Sequence, residues 1–226
     1  MSYPECRTCG YKSSAAKHLN ETELQTLEFG CAEVLFKKGE VVFREGTLAT
    51  NTIYLKRGMV KVHMKGPSGD KILKLIKAPT YLGLPTTFGD RINQYSATAI
   101  SDAEVCFISL DTFKDFITKN GDFAYELIMD LCRNELVEYR RCTSMSQKQI
   151  PGRVAEVLLC MSDDLFCSST FEMPLNNSEL ADLISTSRET VNRQLSEFIR
   201  EGLISMNKRK IQILDAKRLG QISING

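Results

Sequence analysis

The sequence predicts an α+β fold in which a β-rich domain, one long helix and a small helical domain follow one another along 226 residues. Short apolar segments, each ending near a glycine, recur about every ten residues between residues 34 and 76, which is typical of antiparallel strands. Residues 122–148 contain neither proline nor glycine and carry apolar residues at intervals of three or four. Residues 173–214 show two helical patterns followed by two short strand patterns. A chain of this length has room for two domains.

Composition favours a packed protein in a reducing compartment. Apolar residues make up 42% and charged residues 25% of the chain, and the formal net charge is +1, values that are typical of a globular protein. The sequence has no apolar run of membrane-spanning length and no signal-peptide pattern, so we expect a cytoplasmic protein without a membrane partner. The eight cysteines are then expected to be thiols or metal ligands and not a disulfide framework.

Motifs of common enzyme classes are missing from the sequence. It has no paired nucleophile and base and no HxxxH-type metal motif. Gly39, Gly46 and Gly58 do not form a phosphate-binding loop, because they are spread over separate turns. We therefore expect the protein not to be an enzyme and to carry no cofactor.

Cysteine spacing near the N-terminus leaves two interpretations open. Residues 1–20 read as a polar tail that holds Cys6 and Cys9 in a C-x-x-C pair, which is half of a metal site. Cys31 and Cys106 are the nearest candidates for the other half. In the alternative interpretation the tail pair is flexible and the other two cysteines are small core side chains. We expect the protein to bind no metal. If it does bind one, these four cysteines are the candidate ligands.

The next segment, residues 21–118, is predicted to be a β-roll. A short helix over residues 21–30 is followed by β segments that end at Gly39, Gly46 and Gly58. Short strands separated by such turns indicate an antiparallel barrel or roll. A second short helix is predicted at residues 110–120.

A long helix with an apolar seam is predicted within residues 119–149. An apolar stripe of this length favours a partner helix over packing on the helix's own domain alone. Residues 149–152, with the sequence QIPG, are predicted to break the helix and to mark the start of a domain at residues 150–226. The predicted interface side chains are those of Leu127, Leu131, Glu135, Glu138, Cys142 and Met145.

The C-terminal domain shows a helix-turn-helix pattern. Asn176 and Glu179 can form a capping box at the start of a first helix. Ser187 can cap a second helix, whose predicted apolar positions are Val191, Leu195, Phe198 and Ile199. Gly202 stands where a helix C-terminus favours a residue that tolerates positive φ.

The second helix has polar side chains outside its apolar stripe in its first two turns. These are the turns that enter the major groove of DNA in this motif. Arginine can bond guanine bidentately, and glutamate can accept from the amino group of cytosine. From Arg188 to the C-terminus there are eight Lys and Arg against four Asp and Glu, so this region is basic. An ordinary surface helix with scattered charges is the alternative. The candidate base-reading residues are Arg188, Glu189, Asn192 and Arg193, and the candidate phosphate contacts are Ser187, Lys208, Arg209 and Lys210.

The segment from Ser187 to Ile204, SRETVNRQLSEFIREGLI, resembles the recognition helix of the Crp/Fnr family of bacterial transcription regulators, in particular the cAMP receptor protein branch. The resemblance covers nearly the whole chain. It implies a double-stranded β-helix (jelly-roll), cyclic-nucleotide-binding-like domain at residues 21–118, a dimerisation helix at 119–149 and a winged helix-turn-helix at 150–226. It also implies a homodimer that binds an inverted repeat in double-stranded DNA, with RNA polymerase as an expected partner.

The resemblance places an effector pocket at residues 81–97. Family members that bind cAMP have Gly-Glu-Leu followed later by Arg-Ser-Ala, whose glutamate holds the ribose and whose arginine pairs with the cyclic phosphate. This sequence retains the frame residues but lacks both charged contacts, so the implied signal is an unidentified effector and not cAMP. The candidate pocket residues are Gly83, Leu84, Tyr95, Ser96 and Ala97.

Members of the Fnr branch bind an iron–sulfur cluster through clustered N-terminal cysteines and one distant cysteine. Cys106 resembles the distant ligand, but the third closely spaced N-terminal cysteine of that branch is missing here. The alternative function is therefore an Fnr-like redox or iron–sulfur sensor that uses Cys6, Cys9 and Cys106, with Cys31 as a further candidate.

Overall fold

A computed structural model describes residues 5–67 and 69–226, which form two compact units, one ending at Asn134 and the other spanning Glu135–Gly226. The boundary lies inside one long helix, which belongs to both units. The first four residues of the predicted N-terminal tail lie outside the described residues. Within the described residues, each helix is too short or too polar to cross a lipid bilayer.

Two four-stranded antiparallel sheets form the centre of the first unit, as predicted for a β-roll. One sheet has the strand order β1-β8-β3-β6 and the other the order β2-β7-β4-β5. Side chains that alternate inwards from both sheets, among them Leu55, Val60 and Val105, are fully buried between them. The strands are β1 (Cys31–Phe36), β2 (Val41–Phe43), β3 (Asn51–Arg57), β4 (Met59–Gly66), β5 (Gly69–Lys77), β6 (Thr80–Leu82), β7 (Ser96–Ala99) and β8 (Ala103–Ser109).

Glycines occupy the turns of the roll because the backbone there enters the positive-φ region. Gly39, Gly46 and Gly58 have φ values of +94°, +80° and +90°, which side chains with a Cβ atom adopt only at a cost. Gly58 also has no room for a larger residue, since a Cβ atom there would lie 2.3 Å from the carbonyl oxygen of Asp102.

Residues 5–20 pack against the roll and do not form a separate polar tail. A 3-10 helix spans Ala15–His18, and the side chains of Ala15, Ala16 and Leu19 are buried. Helix α1 (Glu21–Phe29) begins with a capping box in which Asn20 and Glu23 bond each other's backbone amides. The unit also contains α2 (Leu84–Phe88) and α3 (Leu110–Lys119).

The long helix, α4 (Gly121–Gln147), begins in the core of the first unit and then becomes exposed. The side chain of Asn120 accepts a hydrogen bond from the amide of Phe123 at 3.0 Å, which caps the helix. Phe123 and Leu127 are buried in the first unit. Leu127 was predicted to lie in the dimer interface. Its side chain is instead buried in the core of its own chain. From Leu131 onwards, most side chains of α4 are exposed.

The second unit is a winged helix-turn-helix, as predicted. Its three-stranded antiparallel sheet has the order β10-β11-β9. A π-helical turn at Met161–Leu165 follows the first helix. The elements are α5 (Ile150–Cys160), β9 (Thr170–Glu172), α6 (Asn177–Ile184), α7 (Arg188–Arg200), β10 (Ile204–Asn207), β11 (Lys210–Ile213) and α8 (Ala216–Asn225).

Two features at the start of the second unit differ from the predictions. Pro151 and Gly152 do not break a helix but lie in the first turn of α5, where the missing amide hydrogen of proline costs nothing. The interruption is instead at residues 148–149. The polar sequence of residues 162–170, with two aspartates, favours an exposed loop. The structure instead buries Ser162 and Leu165 in the π-helical turn, and β9 adds the third strand to the wing.

Candidate nucleic-acid interface and sensor sites

Side-chain caps fix both helices of the helix-turn-helix. Asn176 and Glu179 form the predicted capping box at the start of α6, with distances of 2.9 Å and 2.8 Å. Ser185 ends that helix in the left-handed region at φ +58°. The hydroxyl of Ser187 accepts from the amide of Thr190 at 3.2 Å and starts α7. Gly202 follows α7 at φ +70°, as predicted.

Helix α7 divides into a buried face and a polar exposed face. Val191, Leu195 and Phe198 are buried as predicted. Ile199, predicted to be apolar core, is instead 42% exposed, and the amide side chain of Gln194 is buried. All four candidate base-reading residues are exposed in the first two turns of α7: Arg188, Glu189, Asn192 and Arg193.

The charged side chains on the exposed face of α7 remain available to an external partner. The amide of Glu189 itself and the hydroxyl of Ser187 lower the pKa of the Glu189 carboxyl group, so it remains an acceptor at neutral pH. Among the described residues, the guanidinium groups of Arg188 and Arg193 form no ion pair. Asn192 differs, because its side-chain oxygen accepts a hydrogen bond from the side-chain amide of Asn177 at 2.6 Å.

The wing presents lysines at its tip. Lys208, at φ +55°, lies in the tight turn between β10 and β11. Its ammonium group and that of Lys210 are exposed and suited to phosphate contacts. Arg209 serves the fold of the wing, since its guanidinium donates to the carbonyl of Met173 at 2.7 Å and lies 3.9 Å from Glu172.

The predicted effector-pocket residues mostly fill space inside the roll. The ring of Tyr95 packs on Phe43 at a centroid distance of 5.7 Å, and Ala97 is fully buried. Leu84 is buried at the start of α2. The hydroxyl of Ser96 already accepts from the amide of Glu45 at 3.0 Å, and Gly83 provides the positive-φ turn before α2. These five residues keep the frame of the predicted pocket, and none of them carries a charged side chain that could pair with a phosphate.

The four candidate cysteine ligands, although distant in sequence, line one cavity of about 40 Å³. Strands β1 and β8 pair so that Cys31 lies opposite Ile108 and Glu33 opposite Cys106, which puts both thiols on one face of the sheet. Residues 5–20 cover that face and bring Cys6 and Cys9 to it. Sequence patterns gave no indication that Tyr54, Tyr81 and Lys56 also line this cavity.

Three of these thiols interact directly. Cys6, Cys31 and Cys106 are buried, and Cys9 is partly exposed. Hydrogen bonds with Cys106 and Cys6, together with burial, raise the pKa of Cys31. The hydrogen bond with Cys31 lowers the pKa of Cys6, against the opposing effects of burial and of the negative charges of Glu28 and Glu33.

In the part of the chain that the structure describes, no three His, Cys, Asp or Glu side chains are grouped so that they could hold a metal ion. All eight cysteines are free thiols, and the four outside this site are exposed: Cys132, Cys142, Cys160 and Cys167.

The exposed part of α4 carries large apolar side chains. Leu131 is 40% and Leu136 54% exposed, and Tyr125, Ile128, Val137 and Tyr139 are more than half exposed. Of the other predicted interface residues, Glu135 and Cys142 are exposed, while Glu138 and Met145 are partly exposed. Clustered exposed apolar side chains of this size are typical of an interaction surface.

Two family models match the chain: a cyclic nucleotide-binding domain over residues 33–120 and a Crp-like helix-turn-helix domain over residues 152–222. The chain is 26% identical over 191 residues to the CRP-like cAMP-activated global transcriptional regulator of Mycobacterium tuberculosis, covering 82% of this chain and 85% of the relative. It is 27% identical over 221 residues to the nitrogen fixation regulation protein FixK of Bradyrhizobium diazoefficiens, covering 95% and 92%.

Solved structures share the fold. The FixK2 protein of Bradyrhizobium japonicum matches with a TM-score of 0.75 at 21% identity, over 85% of this chain and 96% of that chain. A CRP-family transcriptional regulator of Thermus thermophilus, TTHB099, matches with a TM-score of 0.73 at 21% identity, over 85% and 97%.

Proposed function

Because the chain belongs to the Crp/Fnr family of DNA-binding transcription regulators, we propose that it binds an inverted repeat in double-stranded DNA as a homodimer. The observation that carries this proposal is the exposed polar face of α7. Arg188, Glu189 and Arg193 project from its first two turns, the part of a recognition helix that meets base edges. RNA polymerase is an expected partner on the strength of the family.

The chemistry of this face favours specific bases. Each arginine can donate two hydrogen bonds to a guanine, and the ionised carboxylate of Glu189 can accept from a cytosine amino group. Glu189 and Arg193 are four residues apart and lie on the same side of α7. Lys208 and Lys210 on the wing contribute phosphate contacts, which strengthen binding without selecting a sequence.

The exposed apolar side chains of α4 support the proposed homodimer. Pairing α4 with its twin removes Ile128 and Leu131 from water, and the twofold axis relates the two recognition helices. Two-fold symmetry then requires two half-sites about one helical turn, roughly 34 Å, apart. The expected half-site spacing therefore depends on the protein being a dimer.

Binding-site selection on random DNA tests the proposed function. We expect the native protein to enrich an inverted repeat. We expect Glu189→Ala to lose about 1–3 kcal/mol at one base pair of each half-site and to relax selectivity there. Lys208→Ala is the matched control, because loss of a phosphate contact weakens all sequences alike and flattens the salt dependence.

Two results would contradict the assignment. Enrichment of sites without an inverted repeat would rule out recognition of the DNA by a twofold-symmetric dimer. A selection profile of Glu189→Ala that equals the native profile would remove this residue from base recognition.

The signal is proposed to be something other than cAMP. Leu84 and Tyr95 replace the two charged contacts, and each lost charge-assisted hydrogen bond costs about 1.5–3 kcal/mol. The ring of Tyr95 also occupies space beside Phe43. Calorimetric titration is expected to show no saturable cAMP binding in the micromolar range. Micromolar binding with a parallel rise in DNA affinity would overturn this prediction.

A sulfur-based sensor is the second candidate function, and the convergence of four cysteines on one cavity favours it. Cys6, Cys31 and Cys106 belong to the same cluster of buried side chains as Phe123 and Leu127 of α4. A chemical change at the thiols can therefore alter packing at the start of α4 and shift the population of DNA-binding forms. This candidate keeps both forms of the sensor, a reaction of the thiols themselves and an iron–sulfur cluster held by Cys6, Cys9 and Cys106 with Cys31 as a further ligand; the metal content and the ultraviolet–visible spectrum of protein purified without oxygen distinguish them.

A further inference from the structure

We propose that Asn177 holds the side-chain amide of Asn192 in one orientation, so that Asn192 reads the keto oxygen of a guanine or a thymine in each half-site. The inference rests on the proposed DNA recognition and adds a positioning residue to it, since Asn177 lies on α6 and not on the recognition helix. One hydrogen bond carries it: the side-chain amino group of Asn177 donates to the side-chain oxygen of Asn192 at 2.6 Å.

The two helices that carry this hydrogen bond are fixed to each other by shared apolar burial. Leu180 of α6 and Val191 of α7 are both fully buried. Leu180 follows Asn177 by three residues, and Val191 immediately precedes Asn192. The two asparagines therefore face each other across a packed pair of helices, although they are fifteen residues apart in the chain.

The position of Asn177 favours the observed direction of the hydrogen bond. Asn177 is the first residue of α6, after the cap Asn176, and backbone amides at a helix start have no partners within the helix. These amides and the positive end of the helix dipole favour the side-chain oxygen of Asn177, which leaves its amino group for Asn192. The reverse hydrogen bond would direct that oxygen to Asn192 instead.

An asparagine whose oxygen is already bonded presents only donors to the DNA. A free asparagine pairs with adenine through both halves of its amide, because adenine has an acceptor at N7 and a donor at N6. In Asn192 the acceptor half is bonded to Asn177, so the two N–H groups of its amino end remain. Guanine O6 and thymine O4 accept such donors in the major groove, whereas cytosine presents an amino group there. The oriented amide therefore favours a keto base.

Asn192 lies beside the other candidate base-reading side chains. It is exposed in the second turn of α7, three residues after Glu189 and four after Arg188, and these spacings bring side chains together on one side of a helix. DNA binding removes water from this face, where an amide oxygen without a partner would weaken binding. Asn177 supplies that partner, so the amide of Asn192 enters the groove with its oxygen already bonded.

Binding to DNA that contains base analogues tests the orientation of Asn192. Binding-site selection with Asn192→Ala first identifies the base pair that Asn192 contacts, as the position where the profile departs from the native one. Each base pair has one keto oxygen and one amino group at its major-groove edge. An analogue that lacks the keto oxygen at this position is expected to lower the affinity of the native protein about fivefold or more. An analogue that lacks the amino group should change the affinity little.

Asn177→Asp is expected to reverse this pattern. The new carboxylate presents only acceptors to Asn192, which turns the amide so that its oxygen faces the DNA. Affinity should then fall when the amino group of the contacted base pair is removed, and the preferred base at this position should change in the selection profile.

Two further variants serve as controls. Asn177→Ala removes the partner of Asn192 without imposing the reverse orientation, so selectivity at this base pair should weaken. Ser178→Ala changes an exposed side chain in the same turn of α6 and should keep the native selectivity. The capping box of α6 uses Asn176 and Glu179, so these variants are expected to fold, which circular dichroism during heating checks.

Several results would overturn the inference while leaving the proposed DNA recognition intact. A native protein that depends on the amino group and not on the keto oxygen would contradict the donor-only amide. A native selection profile for Asn192→Ala would remove Asn192 from base contact. Equal profiles of Asn177→Asp and the native protein, or an equal shift in Ser178→Ala, would remove the positioning role of Asn177. Failure of the native protein to enrich any inverted repeat would instead contradict the proposed function.

Discussion

Leu131→Glu is expected to convert the protein into monomers and to abolish specific DNA binding. Leu131 is 40% exposed on a part of α4 that carries other exposed apolar side chains. In the proposed dimer, the new carboxylate would be buried twice without a partner, at a cost on the order of several kcal/mol per subunit. A monomer presents one recognition helix and loses the affinity that the second half-site contributes. Sedimentation velocity and electrophoretic mobility shift measure the two effects.

Arg140→Glu provides the matched control for this substitution. Position 140 is nine residues after Leu131, which places it on the opposite side of an α-helix, and Arg140 is exposed. The control introduces the same carboxylate outside the proposed seam and should remain a dimer. An unchanged dimer in Leu131→Glu would place the interface elsewhere, and monomers in both variants would show that charge, not position, is responsible.

Gly58→Ala is expected to destabilise the first unit by about 2–5 kcal/mol. The backbone at Gly58 has φ +90°, which costs an alanine about 1–2 kcal/mol. The new methyl group would also lie 2.3 Å from the carbonyl oxygen of Asp102 and 2.8 Å from the Cα atom of Ala103. Both are backbone atoms of a turn, so relief requires movement of the strands, which adds about 1–3 kcal/mol. Urea unfolding followed by circular dichroism measures the loss.

Gly39→Ala separates the two contributions. Gly39 has nearly the same φ, +94°, but a Cβ atom there would meet nothing within 4 Å. This variant should lose only the conformational part, about 1–2 kcal/mol. Equal destabilisation at both positions would show that the close approach to Asp102 is relieved without cost.

Elements with local signals were predictable from the sequence. The capping box of Asn176 and Glu179, the cap at Ser187 and the positive φ of Gly202 all occur as predicted, because each depends on residues within a few positions of itself. The helical spacing of the apolar residues in α7 also predicted which polar side chains of this helix are exposed. Ile199 was assigned wrongly, since the helical pattern cannot show where the covering elements end.

Segments without a strong pattern were not predictable in the same way. The polar residues after α5 gave no sign of the π-helical turn or of β9, whose register is set by pairing with β11. Likewise, the sequence indicated that Tyr95 replaces a charged contact, but not that its ring packs on Phe43. Such outcomes depend on partners more than thirty residues away in the chain.

Glycine turns and helix periods are local features of the sequence, and they were sufficient to predict a β-roll, a long helix and a winged helix-turn-helix, together with the candidate base-reading residues. The grouping of the cysteines, in contrast, depends on the tertiary structure. The register of β1 against β8 puts Cys31 and Cys106 on one face, and the packing of residues 5–20 brings Cys6 and Cys9 to the same cavity. Strand register and the docking of a terminal segment are set by hydrogen bonding and apolar burial across up to a hundred residues of chain, and no local spacing of cysteines encodes them.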